Sequence, residues 1–311
     1  MTATTISGRR QGPATDLRRR RRPGETVIEL LLALCGILSV GTTVAIVGML
    51  VRDGGAFFGE IGVLDFLFGT TWQPKGSPAK YGVLALLSGT LLVATIALLV
   101  AVPLGLSAAI YLSEYARPRA RRILKPMLEV LAGVPTVVYG FFALTWVTPQ
   151  LKKIFPDIGV FNALAAGLVM GIMIIPTIAS VSEDAMRAVP QSLREGAFGL
   201  GAGKRRVAVR VVVPAALSGI AAGIILGVSR AVGETMIVAV AAGATPNLTA
   251  DPLKSVQTMT GYIASVAGGE GARGTTDYSS IFAVGLTLFV LTLILNLISV
   301  ALVRRFRQVY Q

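Results

Sequence analysis

The chain has 311 residues, 53% of them hydrophobic and only 14% charged, with a mean hydropathy of +0.71. A soluble domain carries roughly 25% charged residues, so the composition excludes an ordinary globular enzyme and indicates a membrane protein. The net charge of +13 does not point to nucleic acid, because the basic residues fall in blocks between apolar runs, the arrangement that keeps Lys and Arg on the cytoplasmic side.

There is no histidine, so the commonest proton shuttle and metal ligand is missing. The single cysteine, Cys35, excludes an intrachain disulfide and a cysteine-based metal cluster. It lies in an apolar run and reads as a small packing residue.

In chain order, residues 1–26 carry Arg9, Arg10 and Arg18 to Arg22 and read as a disordered cytoplasmic tail drawn to anionic headgroups. The apolar run that follows is too long for a signal-peptide core and has no small-residue cleavage site. Residues 27–51 are predicted as the first span, long enough for roughly 30 Å of hydrocarbon. Residues 52–80 are expected outside, with Trp72 and the phenylalanines partly in the membrane interface. The second span is predicted over 81–113, with a kink at Pro103 and Gly105. A basic inside loop leads to a third span over 126–148, containing Pro135, and a fourth over 161–182, containing Pro176. The fifth span is predicted over 214–243, an outside loop over 244–279 and the sixth span over 280–303, leaving 304–311 as a cytoplasmic tail.

Charge counting orients this scheme. Segments assigned inside hold 21 Lys and Arg and those outside hold 7, with Arg230 alone in a span. A threefold excess supports an even number of spans with both termini inside. The chain is thus expected to be an all-α integral membrane protein with six spans, divided into the tail at 1–26, a first span with its outside loop over 27–80, and a five-span body over 81–303.

The polar stretch 187–214 separates two apolar runs and must sit in water, because irregular backbone is not satisfied in lipid. Ser192 followed three residues later by Glu195 has the form of a capping box that opens a short helix. Gly199, Gly201 and Gly203 allow a tight turn. Leu193, Ala197 and Leu200 recur at helical spacing and suggest a docking face; a solvated basic loop is the plainer alternative. Residues 199–204 do not form a phosphate-binding loop: Phe198 stands where the first glycine belongs and Arg205 replaces the required Ser or Thr.

Arg230 and Glu234 lie well inside the fifth span, four residues apart, on one helix face if the helix is continuous. A charge at the bilayer centre costs about 2.5–3.5 kcal/mol on insertion scales, which asks for a compensating role. The pair is either a structural ion pair or a charged patch on a translocation path, where the guanidinium fork suits phosphate-like groups and Glu234 holds Arg230 in place. Glu29 and Glu129 sit near span ends and reach the interface. Thr136, Tyr139, Thr177 and Ser180 have the chemistry of a polar path, although such residues more often bond neighbouring helices.

Two sets of residues carry a family resemblance. Glu195-Gly196-Ala197, three residues, Gly201, nine residues, then Val211, Val213 and Pro214 resemble the EAA loop of ABC importer permeases, with Gly196 in place of Ala and the two valines in place of Ile and Leu. Ile-Tyr-Leu-Ser-Glu-Tyr-Ala (110–116), Gly-Val-Pro-Thr-Val-Val-Tyr-Gly (133–140) and Arg-Ala-Val-Gly-Glu-Thr-Met (230–236) resemble the permease of the bacterial high-affinity phosphate ABC importer, the PstC type. The resemblance implies the type I importer fold in the bacterial inner membrane, a heterodimer with a second permease, two copies of a cytoplasmic ATPase and an extracytoplasmic phosphate-binding protein. It implies that this chain binds no cofactor and catalyses no reaction, ATP and Mg belonging to the ATPase. Arg230 and Glu234 match family residues implicated in phosphate passage. The segment holding Arg194, Glu195, Gly196, Ala197, Gly201, Lys204 and Pro214 would couple to the ATPase. Rival readings are another oxyanion such as sulfate, an ion-coupled secondary carrier, which leaves the loop spacing unexplained, and a signalling membrane subunit.

Overall fold

A computed structural model describes residues 23–270 and 274–306. The expected tail at 1–26 thus lies almost wholly outside the described residues, as does 307–311 of the other tail. The chain divides into two units, Met1–Gly48 and Met49–Gln311. The described part of the first is the leading stretch of helix α1 (Pro23–Glu60). Its apolar side chains, Leu30, Leu32, Ile37 and Leu38 among them, are exposed on all sides, a surface suited to lipid rather than to water. Cys35 is exposed there too, so the packing role expected for it is corrected.

The second unit continues through α2 (Val63–Phe68), a two-stranded ribbon of β1 (Trp72–Gln73) and β2 (Lys80–Tyr81), and α3 (Leu84–Ile110), which runs on as a π-helical turn to Tyr115. Next come α4 (Pro118–Gly133), α5 (Thr136–Phe142), α6 (Thr148–Ile154) and α7 (Ala163–Arg187). After these follow α8 (Gln191–Gly199), α9 (Lys204–Val207), α10 (Val213–Ala215), α11 (Leu217–Gly233), α12 (Met259–Ser265) and α13 (Thr276–Phe306). Four helices among the described residues are long and apolar enough to cross a membrane: Val27–Glu60, Leu84–Tyr115, Ala163–Arg187 and Thr276–Ala301. The count reaches six only if each of two bent pairs is one span.

Those bent pairs fall on the predicted third and fifth spans. Pro118–Gly133 and Thr136–Ile154 meet at 87°. Val134 and Pro135 between them are extended, as expected where a proline pushes the preceding residue out of the helical region. The Tyr139 hydroxyl donates to the Leu131 carbonyl at 2.7 Å and ties the corner. Lys204–Ala215 and Leu217–Gly233 meet at 72° around Ala216. Pro103 and Pro176, by contrast, lie inside helices that continue past them.

Helix α7 is the centre of the second unit, with α3 and α11 packed on it. Its start is fixed by Asn162, whose Oδ1 accepts from the Ala165 amide at 2.7 Å while its amide group donates to Thr148 and Gly159. Where lipid supplies no hydrophobic drive, helices gain by close packing of small residues. At Gly227 of α11 a Cβ would come within 2.9 Å of Ile178 of α7.

The segment expected to lie at the interface is a second core. Phe57, Phe66, Trp72 and Tyr81 are buried and meet edge to face, and Trp72 also meets Tyr262 of α12 at 4.9 Å. Burial first, then the charges of Asp277 and Glu60, pushes the Tyr81 phenol above its ordinary range. Part of the segment 244–279, predicted as an outside loop, is packed into the unit: Val256 to Tyr262 are buried. Within it the Met259 amide donates to Thr90 of α3 and the Gly261 amide to Thr258.

Candidate functional site: a tethered arginine and a braced loop

Arg230 is half-buried near the end of α11, and its guanidinium donates to Thr177 Oγ1 of α7 at 3.1 Å. Buried Tyr139 lies within its electrostatic reach. Glu234 does not continue the helix: α11 stops at Gly233 and Glu234 is extended, with φ −67° and ψ 131°. Its carboxylate instead accepts from the amides of Met236 at 3.0 Å and Ile237 at 3.2 Å, capping the next helical turn. Thr260 of α12 donates to the Glu234 carbonyl at 2.6 Å. Among the described residues no ion pair joins Arg230 to Glu234, so the expected pairing along one helix face is corrected.

The polar loop has a built turn. Helix α8 begins after Pro190 with no side-chain cap, so the expected Ser192 capping box is corrected. At the other end the Gly201 amide donates to the Phe198 carbonyl at 2.9 Å and the Ala202 amide to the Ala197 carbonyl at 3.1 Å. This pair of bonds is the Schellman ending, which needs a left-handed residue after the cap. Gly201 supplies it with φ +79°. The expected docking face is split: Leu193 and Ala197 pack inward with Met186, Val189 and Val207, while Leu200 is 92% exposed and Phe198 47%.

Basic residues of this loop are held by the end of α3. Arg194 donates to the carbonyls of Met186 and Val189, the last turn of α7 and beyond, at 2.8 and 2.6 Å, and pairs with Glu114 at 3.0 Å. Lys204 stands over the Tyr115 ring at 5.1 Å. The Leu-Ser-Glu-Tyr segment 112–115 and the loop, which the sequence presents as separate motifs, are thus one assembly. Glu195 and Gly196 are exposed, Ala197 is half-buried, and Pro214 lies within α10 next to the bend.

Sequence reasoning missed Glu183. Its side chain is buried, with Oε1 bound by Arg121 at 2.6 Å and Oε2 by Lys125 at 2.8 Å, both from α4; Lys125 also pairs with Asp184 at 2.8 Å. Arg187 lies 3.8 Å away, one turn on. The available signal was an acidic pair closing an apolar run opposite a basic run. Glu129 lines the cavities beside this cluster. Among the described residues no cluster of His, Cys, Asp and Glu has the makings of a metal site.

The model of the family "Binding-protein-dependent transport system inner membrane component" matches residues 101–308. The probable ABC transporter permease protein YqgH of Bacillus subtilis (strain 168) is 34% identical over 284 residues, covering 90% of this chain and 91% of that protein. The phosphate transport system permease protein PstC of Mesorhizobium japonicum is 34% identical over 250 residues, 74% of this chain and 75% of its own. PstC 1 of Mycobacterium tuberculosis is 34% identical over 279 residues, 78% of this chain and 82% of its own. The fold is shared with a chain of a bacterial alginate ABC transporter crystallised with its periplasmic protein, with TM-score 0.63, 16% identity and coverage of 91% and 95%. It is also shared with a chain of the inward-facing MetNI methionine ABC transporter, with TM-score 0.54, 20% identity and coverage of 73% and 95%. The chain belongs to the family of binding-protein-dependent transport system inner membrane components and is a multi-pass membrane protein of the ABC importer permease type.

Proposed function

We propose that this chain is a permease subunit through which inorganic phosphate is imported, with ATP and Mg used on a separate ATPase. The observation that carries the reading is a half-buried Arg230 in an apolar bundle, tethered by a neutral Thr177 hydroxyl rather than by a carboxylate, in a chain whose relatives include phosphate transport permeases. A guanidinium held in this way keeps its charge and several donors for an oxyanion. Glu234 acts one step removed, by fixing the break that ends the arginine's helix.

The same reading makes residues 187–214 the coupling segment. The exposed Glu195, Phe198 and Leu200 meet the ATPase, while Arg194, Lys204 and the Gly201 turn, with Gly196, Ala197 and Pro214, hold the segment in shape. Docking there transmits motion to α7 through Arg194 and to α11 through the bend at Ala216. This chain has six spans with both termini in the cytoplasm, and the complete assembly adds a second homologous permease, an ATPase dimer and an extracytoplasmic phosphate-binding protein.

Radiolabelled phosphate uptake tests this in cells lacking the gene, complemented with wild type, Arg230→Ala, or Glu195→Ala with Gly201→Ala, under excess unlabelled sulfate. The expected result is sulfate-insensitive uptake with wild type and none with either variant, at equal amounts in the membrane. Sulfate-sensitive uptake reassigns the cargo, and full uptake with Arg230→Ala removes the site.

A further inference from the structure

Thr177, the tether of Arg230, also lines a cavity of about 210 Å³ between α7 and α4. One water needs roughly 10–15 Å³, so the space admits a small oxyanion with part of its hydration. Thr177, Ser180 and Glu183 recur every three residues and form its α7 wall; Lys125 and Glu129 of α4 and Leu112 lie among its other lining residues. Leu112, Lys125 and Glu129 also line a second, wider cavity, which Arg121, Arg122 and Arg187 surround. Lys125 therefore stands between the space that reaches Arg230's tether and the space that opens among the cytoplasmic basic residues.

We propose that Lys125, with Arg121 beside it, is an inner oxyanion station that receives the anion from Arg230 along the Thr177–Ser180 face of α7. The inference rests on the phosphate-permease reading. Lys125 has three donors; Glu183 and Asp184 take two. Both oxygens of Glu183 are bound, by Arg121 and Lys125, which blunts the repulsion of an incoming anion by this carboxylate. Four cations, Arg121, Arg122, Lys125 and Arg187, face three carboxylates, Glu129, Glu183 and Asp184. The surplus of one positive charge attracts an oxyanion, and the nearby Glu129 keeps its stay short. A conducting path needs sites that hold weakly enough to let go.

The chain's single cysteine makes the test direct. In the intact importer in nanodiscs, Cys35→Ala is combined with Ser180→Cys, and modification of this chain by an anionic methanethiosulfonate is followed by mass, with and without inorganic phosphate. Phosphate is expected to slow the reaction. Lys125→Gln is expected to abolish that protection and to slow the anionic reagent but not a neutral one, and Lys125→Arg to retain both effects. Protection that survives Lys125→Gln, or a reactive cysteine that phosphate does not shield, overturns the station while leaving Arg230→Ala uptake to judge the permease reading. A cysteine unreactive to both reagents overturns the station as well.

Discussion

The second unit holds itself together in two different ways. Around Trp72, rings from α1, α2, the ribbon and α12 bury one another edge to face. Around Glu183, a carboxylate with almost no exposure is shared by Arg121 and Lys125, and the neighbouring loop is braced through Glu114 and Arg194. Aromatic burial gains from apolar area removed from water, and that area is lost when a ring is truncated. Ion pairs in a low dielectric are strong only in the right geometry, and removing one member strands the rest. The two regions should therefore respond differently when one member is removed.

The largest effect is expected from Trp72→Ala, a loss of about 3–5 kcal/mol typical of emptying a packed aromatic site, read as the midpoint of denaturant unfolding in detergent. No second substitution at Phe66 or Tyr81 should recover it. Glu183→Ala should cost less, about 1–3 kcal/mol, because the cations it leaves, Arg121 and Lys125, keep about a quarter of their side-chain surface in contact with solvent; here a compensated variant exists, and replacing Glu183, Arg121 and Lys125 together by methionine should recover most of the stability. Failure of the triple variant to recover would erase the contrast. Gly201→Ala comes next, at roughly 1–2 kcal/mol for a left-handed residue with a side chain. Nothing lies within 4 Å of the added methyl, so the penalty is one of backbone alone, and faster amide exchange from Ala197 to Ala202 measures it. The smallest effect on stability belongs to Phe198→Ser with Leu200→Ser, within about 0.5 kcal/mol for exposed positions. That variant should nevertheless lose co-purification with the ATPase, which separates docking from folding.

Much of the architecture was legible because apolar length is a strong signal: the runs that became α1, α3, α7 and α13 are the four long helices. Gly201 was legible as a turn because only backbone freedom explains a glycine between two polar helical segments. The bends were less so. Of the three prolines singled out, only Pro135 marks a corner, since α3 and α7 absorb theirs and the second corner falls at Ala216. The pairing of Arg230 with Glu234 was an inference from spacing alone. It failed because a helix break between them turns i and i+4 into residues of different elements. Glu183 was marked only by the acidic pair that closes its apolar run, because Arg121 and Lys125 lie about sixty residues away, a distance that no local pattern spans. Arg194 was identified but read outward, whereas its fork matches two carbonyls and a carboxylate inside.

The tether of Arg230 has a consequence for fidelity. On the reading proposed above, a guanidinium whose side-chain partner among the described residues is one neutral hydroxyl reads the charge and hydrogen-bonding capacity of its guest. Look-alike oxyanions that reach it would be handled alike. Discrimination between them is then a matter of admission rather than of passage, and a cell that must refuse a toxic mimic has to do so before the mimic meets this helix.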